Sequence, residues 1–198
     1  MDELRESLAA YPAPHKEGRY TYADYCTWDD SDGQRWELID GEVFEMSSPT
    51  TAHQRILGRL HVELAIFLKG KPCEAFLSPY DVRLNADGAD DTVVQPDVLV
   101  VCDSAKIDAK CCVGVPDLVI EILSPSTAGR DRLVKMQLYQ RVGVREYWIV
   151  DPDAKTVQAF ILEDGRYTGK TYAGNEKMPV HVLPGLEIDL ADVFAEMD

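Results

Sequence analysis

The chain has 198 residues, 45% of them hydrophobic and 28% charged, a composition that suits one globular domain and excludes disordered and fibrous classes. Its formal net charge of −15 excludes a tight, non-specific polyphosphate binder, which needs clustered Lys and Arg. The same charge is compatible with a divalent-metal site, where carboxylates surround an ion that restores positive charge when substrate arrives.

The opening residues, MDELRESLAA, are polar and acidic, and no apolar run is long enough to span a bilayer. The expectation is a cytoplasmic protein with no signal peptide and no membrane segment. No repeat, low-complexity stretch or linker divides the chain, so a single domain over 1–198 is expected, with its core from about 20 to 172.

In chain order, Tyr20–Trp28 reads as the start of a short helix, with Thr21 as its N-cap. Arg35–Met46 alternates apolar and polar residues around Asp40-Gly41, a hairpin turn signal. Ser47-Ser48-Pro49-Thr50 leads into a helix, because apolar residues from Ile56 to Leu68 recur at helical spacing after His53. Short strands are expected at Phe76–Ser78 and Asp81–Leu84, followed by a polar loop at Asn85–Asp91. Val93–Val101 (VVQPDVLVV) and Asp117–Leu123 (DLVIEIL) each read as one buried strand. A loop at Ser124–Thr127 precedes an amphipathic helix, Arg130–Val142, with Leu133, Met136, Leu138 and Tyr139 toward the core. Glu146–Val150 is a further strand, closed by Asp151-Pro152. The tail reads as a hairpin (Val157–Leu162 and Tyr167–Tyr172, across Glu163-Asp164-Gly165) and a short helix from Leu190. The sum is an α/β sheet with one long helix before it and one crossover helix between strands.

Cys26, Cys73, Cys102, Cys111 and Cys112 form no CxxC pair and are odd in number, so free thiols in a reducing cytosol are expected rather than zinc or disulfides. The vicinal Cys111-Cys112 pair has no histidines spaced to complete a metal site.

Buried strands rarely carry charge, because an isolated carboxylate in the interior costs several kcal/mol or neutralises. Here two consecutive apolar strands each hold one, Asp97 and Glu121, and such local rule-breaking marks functional sites. On neighbouring strands the two acids could converge at one edge of the sheet and chelate a divalent ion. The structural alternative is an ion pair with an arginine, or an exposed strand end. Glu37, just before the Asp40-Gly41 turn, is the candidate third acid, its alternative being an exposed strand position; Asp40 and Glu42 read as solvated. His53, at a helix N-terminus, could meet an anion or polarise water, or simply cap and pack; His61 reads as structural, and His15 and His181 lie in regions with no other signal. Lys135 could run its stem along the apolar face of its helix toward the acids, or could be a solvated surface lysine.

WELIDGEVFEMSSPTTAHQRI, QPDVLVV and VPDLVIEILSPSTAGRDRLVKMQLYQRVGVREYWIVDP together resemble the Uma family of restriction-endonuclease-type proteins, a bacterial domain of the PD-(D/E)XK nuclease superfamily. The resemblance runs from about Tyr20 to the last strands, and its most specific part is Pro116 to Pro152. It implies a restriction-endonuclease-like α/β fold: a mixed central sheet flanked by helices, with an N-terminal helix-hairpin extension. It assigns Asp97 as the PD aspartate and Glu121 as the acid of the E-x-K strand. Where that pattern has its lysine, two residues after the acid, this chain has Leu123, and the resemblance implies that Lys135 is a migrated lysine. Glu37 matches the acid from the N-terminal part of the core, and Gln95, on the same face of its strand as Asp97, is expected to join the site.

The implied chemistry is hydrolysis of DNA phosphodiester bonds. Mg2+ (or Mn2+) would be held by Asp97, Glu121, Glu37 and the Ile122 carbonyl, while Lys135 would orient water or offset charge and His53 would contact phosphate. A homo-oligomer, first of all a dimer, is expected, with no membrane partner. Two rival readings stand beside this one. The fold could serve as a binding or assembly module with catalysis lost, which Leu123 and the acidic charge favour, or the enzyme could act on RNA or small nucleotides.

Overall fold

In the computed structural model, which describes residues 18–28, 34–124 and 130–196, the described strands gather into sheets of six, five and two. The short helix α1 (Tyr22–Tyr25) is opened by Thr21, whose N–H and hydroxyl both donate to the Asp24 carboxylate at 2.9 Å. Strands β1 (Trp36–Ile39) and β2 (Glu42–Glu45) form the expected hairpin. Asp40 and Gly41 both take positive φ, 50° and 77°, the pair of values that a two-residue hairpin turn requires. A Cβ on Gly41 would sit 2.5 Å from Cβ of Arg19. Gly41→Ala is therefore expected to cost about 1–3 kcal/mol, read as a lower denaturation midpoint in urea, and an unchanged midpoint would refute the tight turn.

Helix α2 (Thr51–Leu68) is capped by Thr50, whose Oγ1 accepts the His53 N–H at 3.2 Å. Then come β3 (Glu74–Leu77), β4 (Asp81–Arg83), β5 (Val93–Val94), β6 (Val98–Val101), β7 (Cys111–Val113) and β8 (Leu118–Ile122). Helix α3 (Arg130–Val142) crosses over to β9 (Glu146–Asp151), which pairs parallel to β8. The tail supplies the hairpin β10 (Thr156–Glu163) and β11 (Arg166–Ala173), then β12 (Lys177–Pro179), β13 (Glu187–Asp189) and helix α4 (Leu190–Val193). The six-stranded sheet has the order β11-β10-β9-β8-β6-β3, and the five-stranded sheet β2-β1-β5-β4-β7. This is the expected α/β fold, a mixed sheet with helices against it; the N-terminal hairpin extends into a second sheet of its own. No helix of the described residues is long and apolar enough to cross a membrane.

Period-two alternation divides the core. Val98, Val100, Leu118, Ile120, Ile122, Trp148 and Val150 face α2 (Ile56, Leu57, Leu60, Leu64) and the tail. Leu99, Val101, Val119, Tyr147 and Ile149 face the other way, toward Leu138 and Tyr139 of α3 and toward Ile39, Val82 and Val94 of the second sheet. By the same alternation Glu121 falls on the α3 side.

Four sequence expectations are corrected. Val93–Val101 is not one strand: β5 belongs to the five-stranded sheet and β6 to the six-stranded one, and Gln95-Pro96-Asp97 carries the chain between them. The physical reason is Pro96, which has no N–H for a ladder. Cys73 and Cys102 are not free thiols but a disulfide, with S–S 2.10 Å; the β3–β6 register Glu74↔Val101, continued by one position, sets them opposite each other. Cys26, Cys111 and Cys112 are free, and the argument from thiols to a reducing compartment falls away. Leu133 points outward at 61% exposure, since Leu138 and Tyr139 define the buried stripe of α3. Cys111–Val113, between the two expected buried strands and assigned no element from the sequence, is a strand paired parallel to β4. The loop expected at Ser124–Thr127 lies outside the described residues beyond Ser124, as do the side chains of Arg130, Asp131 and Arg132, His15 and the first ten residues.

Candidate active site

Asp97 lies at the point where the chain enters β6, and the antiparallel register Val98↔Ile120, continued by one position, sets it beside Glu121 on β8. Pro96 then falls opposite Ile122 and has no N–H to offer the ladder. The Ile122 N–H donates instead to Oδ2 of Asp97 at 2.7 Å. The same Oδ2 is 3.1 Å from Nε2 of His53, delivered from the first turn of α2. Among the described residues, Nδ1 of His53 is buried without a hydrogen-bond partner.

Glu121 is held from α3. Lys135 and Tyr139, four residues apart on one helical face, both reach its Oε1: Nζ at 3.0 Å and the tyrosine hydroxyl at 2.8 Å. Lys135 Nζ is also 2.9 Å from each carboxylate oxygen of Glu37 on β1. Glu37 Oε1 accepts in addition the Gln95 N–H at 2.9 Å. All these side chains are largely withdrawn from solvent, Glu37 at 6% exposure, Lys135 at 11%, Asp97 at 13% and Glu121 at 14%.

Burial dominates the electrostatics. It pushes the Glu121 carboxyl up to about 8; Lys135 opposes the rise, while Asp97 and Glu37 add to it. Burial disfavours the Lys135 ammonium, yet Glu121 and Glu37 together hold its pKa well above the ordinary lysine value. Tyr139 is held well above the usual phenol range, first by burial and then by the Glu121 and Glu37 charges.

A cavity of about 790 Å3 opens over this cluster. Glu37, His53, Asp97, Glu121, Ile122 and Lys135 all line it, so the six sequence-selected residues meet in one place. Gln95 does not join them by its side chain: Nε2 donates to Asp81 Oδ1 at 2.8 Å and to the Tyr25 hydroxyl at 3.1 Å, and only its backbone reaches the cluster. Sequence reasoning placed Tyr139 in the core alone and missed its bond to Glu121; the spacing of four from Lys135 on a helix was the available signal. His61 is half-buried elsewhere on α2, and His181 is exposed.

Among the described residues no three His, Cys, Asp or Glu side chains are gathered as a ready metal cage. The groups best able to take an ion are the two acids. In each, one oxygen carries all the hydrogen bonds described (Oδ2 of Asp97, Oε1 of Glu121), which leaves Oδ1 and Oε2 for an ion. The Ile122 carbonyl lies across from a proline nitrogen that cannot bond it. Two carboxylates and a carbonyl fit Mg2+, which keeps several of its own waters. Both oxygens of Glu37 face the Lys135 ammonium at 2.9 Å.

Residues 22–191 match the family model Uma2, described as "Putative restriction endonuclease". Two proteins of Synechocystis sp. are similar in sequence. The uncharacterized protein slr1290 is 26% identical over 157 residues, 78% of this chain and 81% of that one. The uncharacterized protein sll1609 is 28% identical over 134 residues, 66% of this chain and 74% of that one. Among solved structures, a protein of Anabaena variabilis described as "a putative nuclease belonging to DUF820" superposes with a TM-score of 0.73. It shares 19% identity, over 90% of this chain and 99% of that one, a likeness of fold.

Proposed function

From the chain's membership of the Uma2 family of restriction-endonuclease-type proteins, we propose that it is a metal-dependent nuclease hydrolysing DNA phosphodiester bonds, with the Asp97–Glu121–Lys135 cavity as its active site. One observation carries this reading. Leu123 stands where the superfamily strand has its lysine, and Lys135, from the next helix, brings its Nζ to 3.0 Å from Glu121. The amine is supplied from α3 instead of from β8.

Asp97, Glu121 and the Ile122 carbonyl would hold Mg2+ (or Mn2+), which supplies Lewis-acid polarisation of a phosphate oxygen and a more acidic bound water. His53 Nε2 and the Ile122 N–H fix the orientation of Asp97, leaving its second oxygen toward the ion. Tyr139 does the same for Glu121. Lys135, anchored by Glu37, presents N–H donors where negative charge grows on the phosphoryl oxygens and where a water must be oriented. Glu37 acts in this scheme as a positioning residue for Lys135.

The test is calorimetric titration of Mg2+ and of Mn2+ into wild type and into Asp97→Ala/Glu121→Ala. Binding by wild type that the double variant loses, together with metal-dependent cleavage of DNA, is the expected result. If wild type binds neither ion, with or without an oligonucleotide, the catalytic reading is wrong and the fold serves binding or assembly. Cytoplasmic placement, a single domain over 1–198 and a homodimer belong to the same proposal, on the sequence arguments alone.

A further inference from the structure

The cavity over the acids has two chemically distinct walls. Its floor is the cluster of Asp97, Glu121 and Lys135; the β1–β2 hairpin and α3 add an apolar wall that includes Ile39, Phe44, Met46 and Val134. Among the described side chains that line it, the lysines and arginines are Arg35, half-buried at the start of the hairpin, and Lys135. Its volume of about 790 Å3 falls in the range of pockets that enclose a small molecule, enough for a nucleotide and its phosphate.

A DNA duplex is a poor match for these features. The acids are only 13% and 14% exposed, so a phosphate must enter the cavity to reach them, and a phosphate on a stacked double helix is fixed to a wide, stiff rod. Duplex affinity also comes chiefly from many Lys and Arg contacts, whereas the chain carries 20 basic residues against 35 acidic ones. A single strand avoids both difficulties. Its backbone bends, its bases are unstacked at little cost, and apolar side chains can pack against a base face without reading its identity.

Resting on the nuclease reading above, we propose that the substrate is a single-stranded polynucleotide, one base of which packs against the hairpin wall while two phosphates engage Arg35 and Lys135. Two phosphate contacts give a shallow salt dependence. At ~0.7 per phosphate on a single strand, log K should fall against log salt with a slope of about −1.4.

The test uses the full chain and fluorescently labelled 20-mers: single-stranded DNA, single-stranded RNA and the blunt DNA duplex. Binding is read by anisotropy across a salt series in Ca2+, and cleavage by gel in Mg2+ or Mn2+. Single strands are expected to bind at least tenfold tighter than the duplex. Arg35→Ala should flatten the slope by about 0.7, and Met46→Asp should weaken single-strand binding roughly tenfold while leaving the melting temperature near that of wild type. Preference of DNA over RNA, or the reverse, identifies which strand is the substrate. Equal or tighter duplex binding, a steep salt slope, or variants that bind as wild type would overturn the inference. The two readings fail separately: metal-dependent cleavage of duplex alone leaves the nuclease standing and removes this substrate. Single-strand binding that depends on Arg35 and Met46, with no cleavage of any oligonucleotide, does the opposite.

Discussion

Lys135→Met is expected to lower metal-dependent phosphodiester hydrolysis by at least ~10²–10³-fold and to destabilise the chain by about 3–5 kcal/mol. The two effects share one cause. Nζ lies 2.9 Å from both oxygens of Glu37 and 3.0 Å from Glu121, so its loss strands two buried acids. Methionine keeps the length and packing of the stem along α3 and removes only the charge, which separates the electrostatic effect from a cavity. Glu37 retains the Gln95 N–H and Glu121 the Tyr139 hydroxyl, one donor each for an acid that had shared an ammonium. Urea denaturation and single-turnover cleavage, measured on the same preparation, check both parts. A variant that is destabilised yet cleaves at the wild-type rate would make Lys135 a structural counter-ion and leave the missing strand lysine unreplaced.

The second large effect concerns Glu121 and pH. Its folded pKa of about 8 lies above the ordinary value of 4.5, so the metal-free fold favours the protonated acid. The sign follows from linkage. The stability contributed by this group is complete below about 4.5, and it is lost as pH rises toward and through about 8, because the unfolded chain ionises the acid more easily. Glu121→Gln resembles the protonated form at every pH. In EDTA, the variant should melt close to wild type at pH 5 and several degrees higher at pH 9, a gain of about 1–3 kcal/mol. A variant that melts lower at pH 9 would mean that the ionised acid is a favourable partner for Lys135. The same proton bears on the ion: below about 8, Mg2+ must displace it. Apparent Mg2+ affinity of wild type should therefore rise about tenfold per pH unit from 6 to 8 and then level off.

What the sequence disclosed, and what it withheld, follows from range of interaction. Arg130–Val142 and the Asp40-Gly41 hairpin are local patterns, and they appear at the expected residues because helical spacing and turn chemistry are decided within a few positions. Asp97 and Glu121 could be chosen because acids in apolar strands break a local rule. Glu37 and His53 stand out by their places beside a turn and at a helix start, and Ile122 and the role of Lys135 follow from the family resemblance. Other features depend on pairing between distant segments. Val93–Val101 looks continuous in hydrophobicity, and only the destination of each half in a different sheet makes it two strands. The Cys73–Cys102 bond needs the β3–β6 register, across a separation of 29 residues. Glu37 could be read as a third acid, yet its role opposite Lys135 requires knowing that β1 approaches α3. The outward Leu133 shows the limit of helical periodicity at a first turn, where the stripe that packs is set by what lies beneath it.

The contacts that assemble the cluster are remote along the chain: Lys135 to Glu37 spans 98 positions and Gln95 to Glu37 spans 58. Such contacts close late, since each long loop must lose its freedom before the contact repays it. Helix α3 and the β1–β2 hairpin can each form early from their own neighbours, and Lys135 lies only 14 positions from Glu121, but Glu37 reaches the lysine only when both sheets have come together. A nascent or half-folded chain thus carries every one of these residues without carrying the cluster. On the nuclease reading proposed above, the ability to cut arrives with the final docking step, so a cell making this protein would not be exposed to an unfinished nuclease.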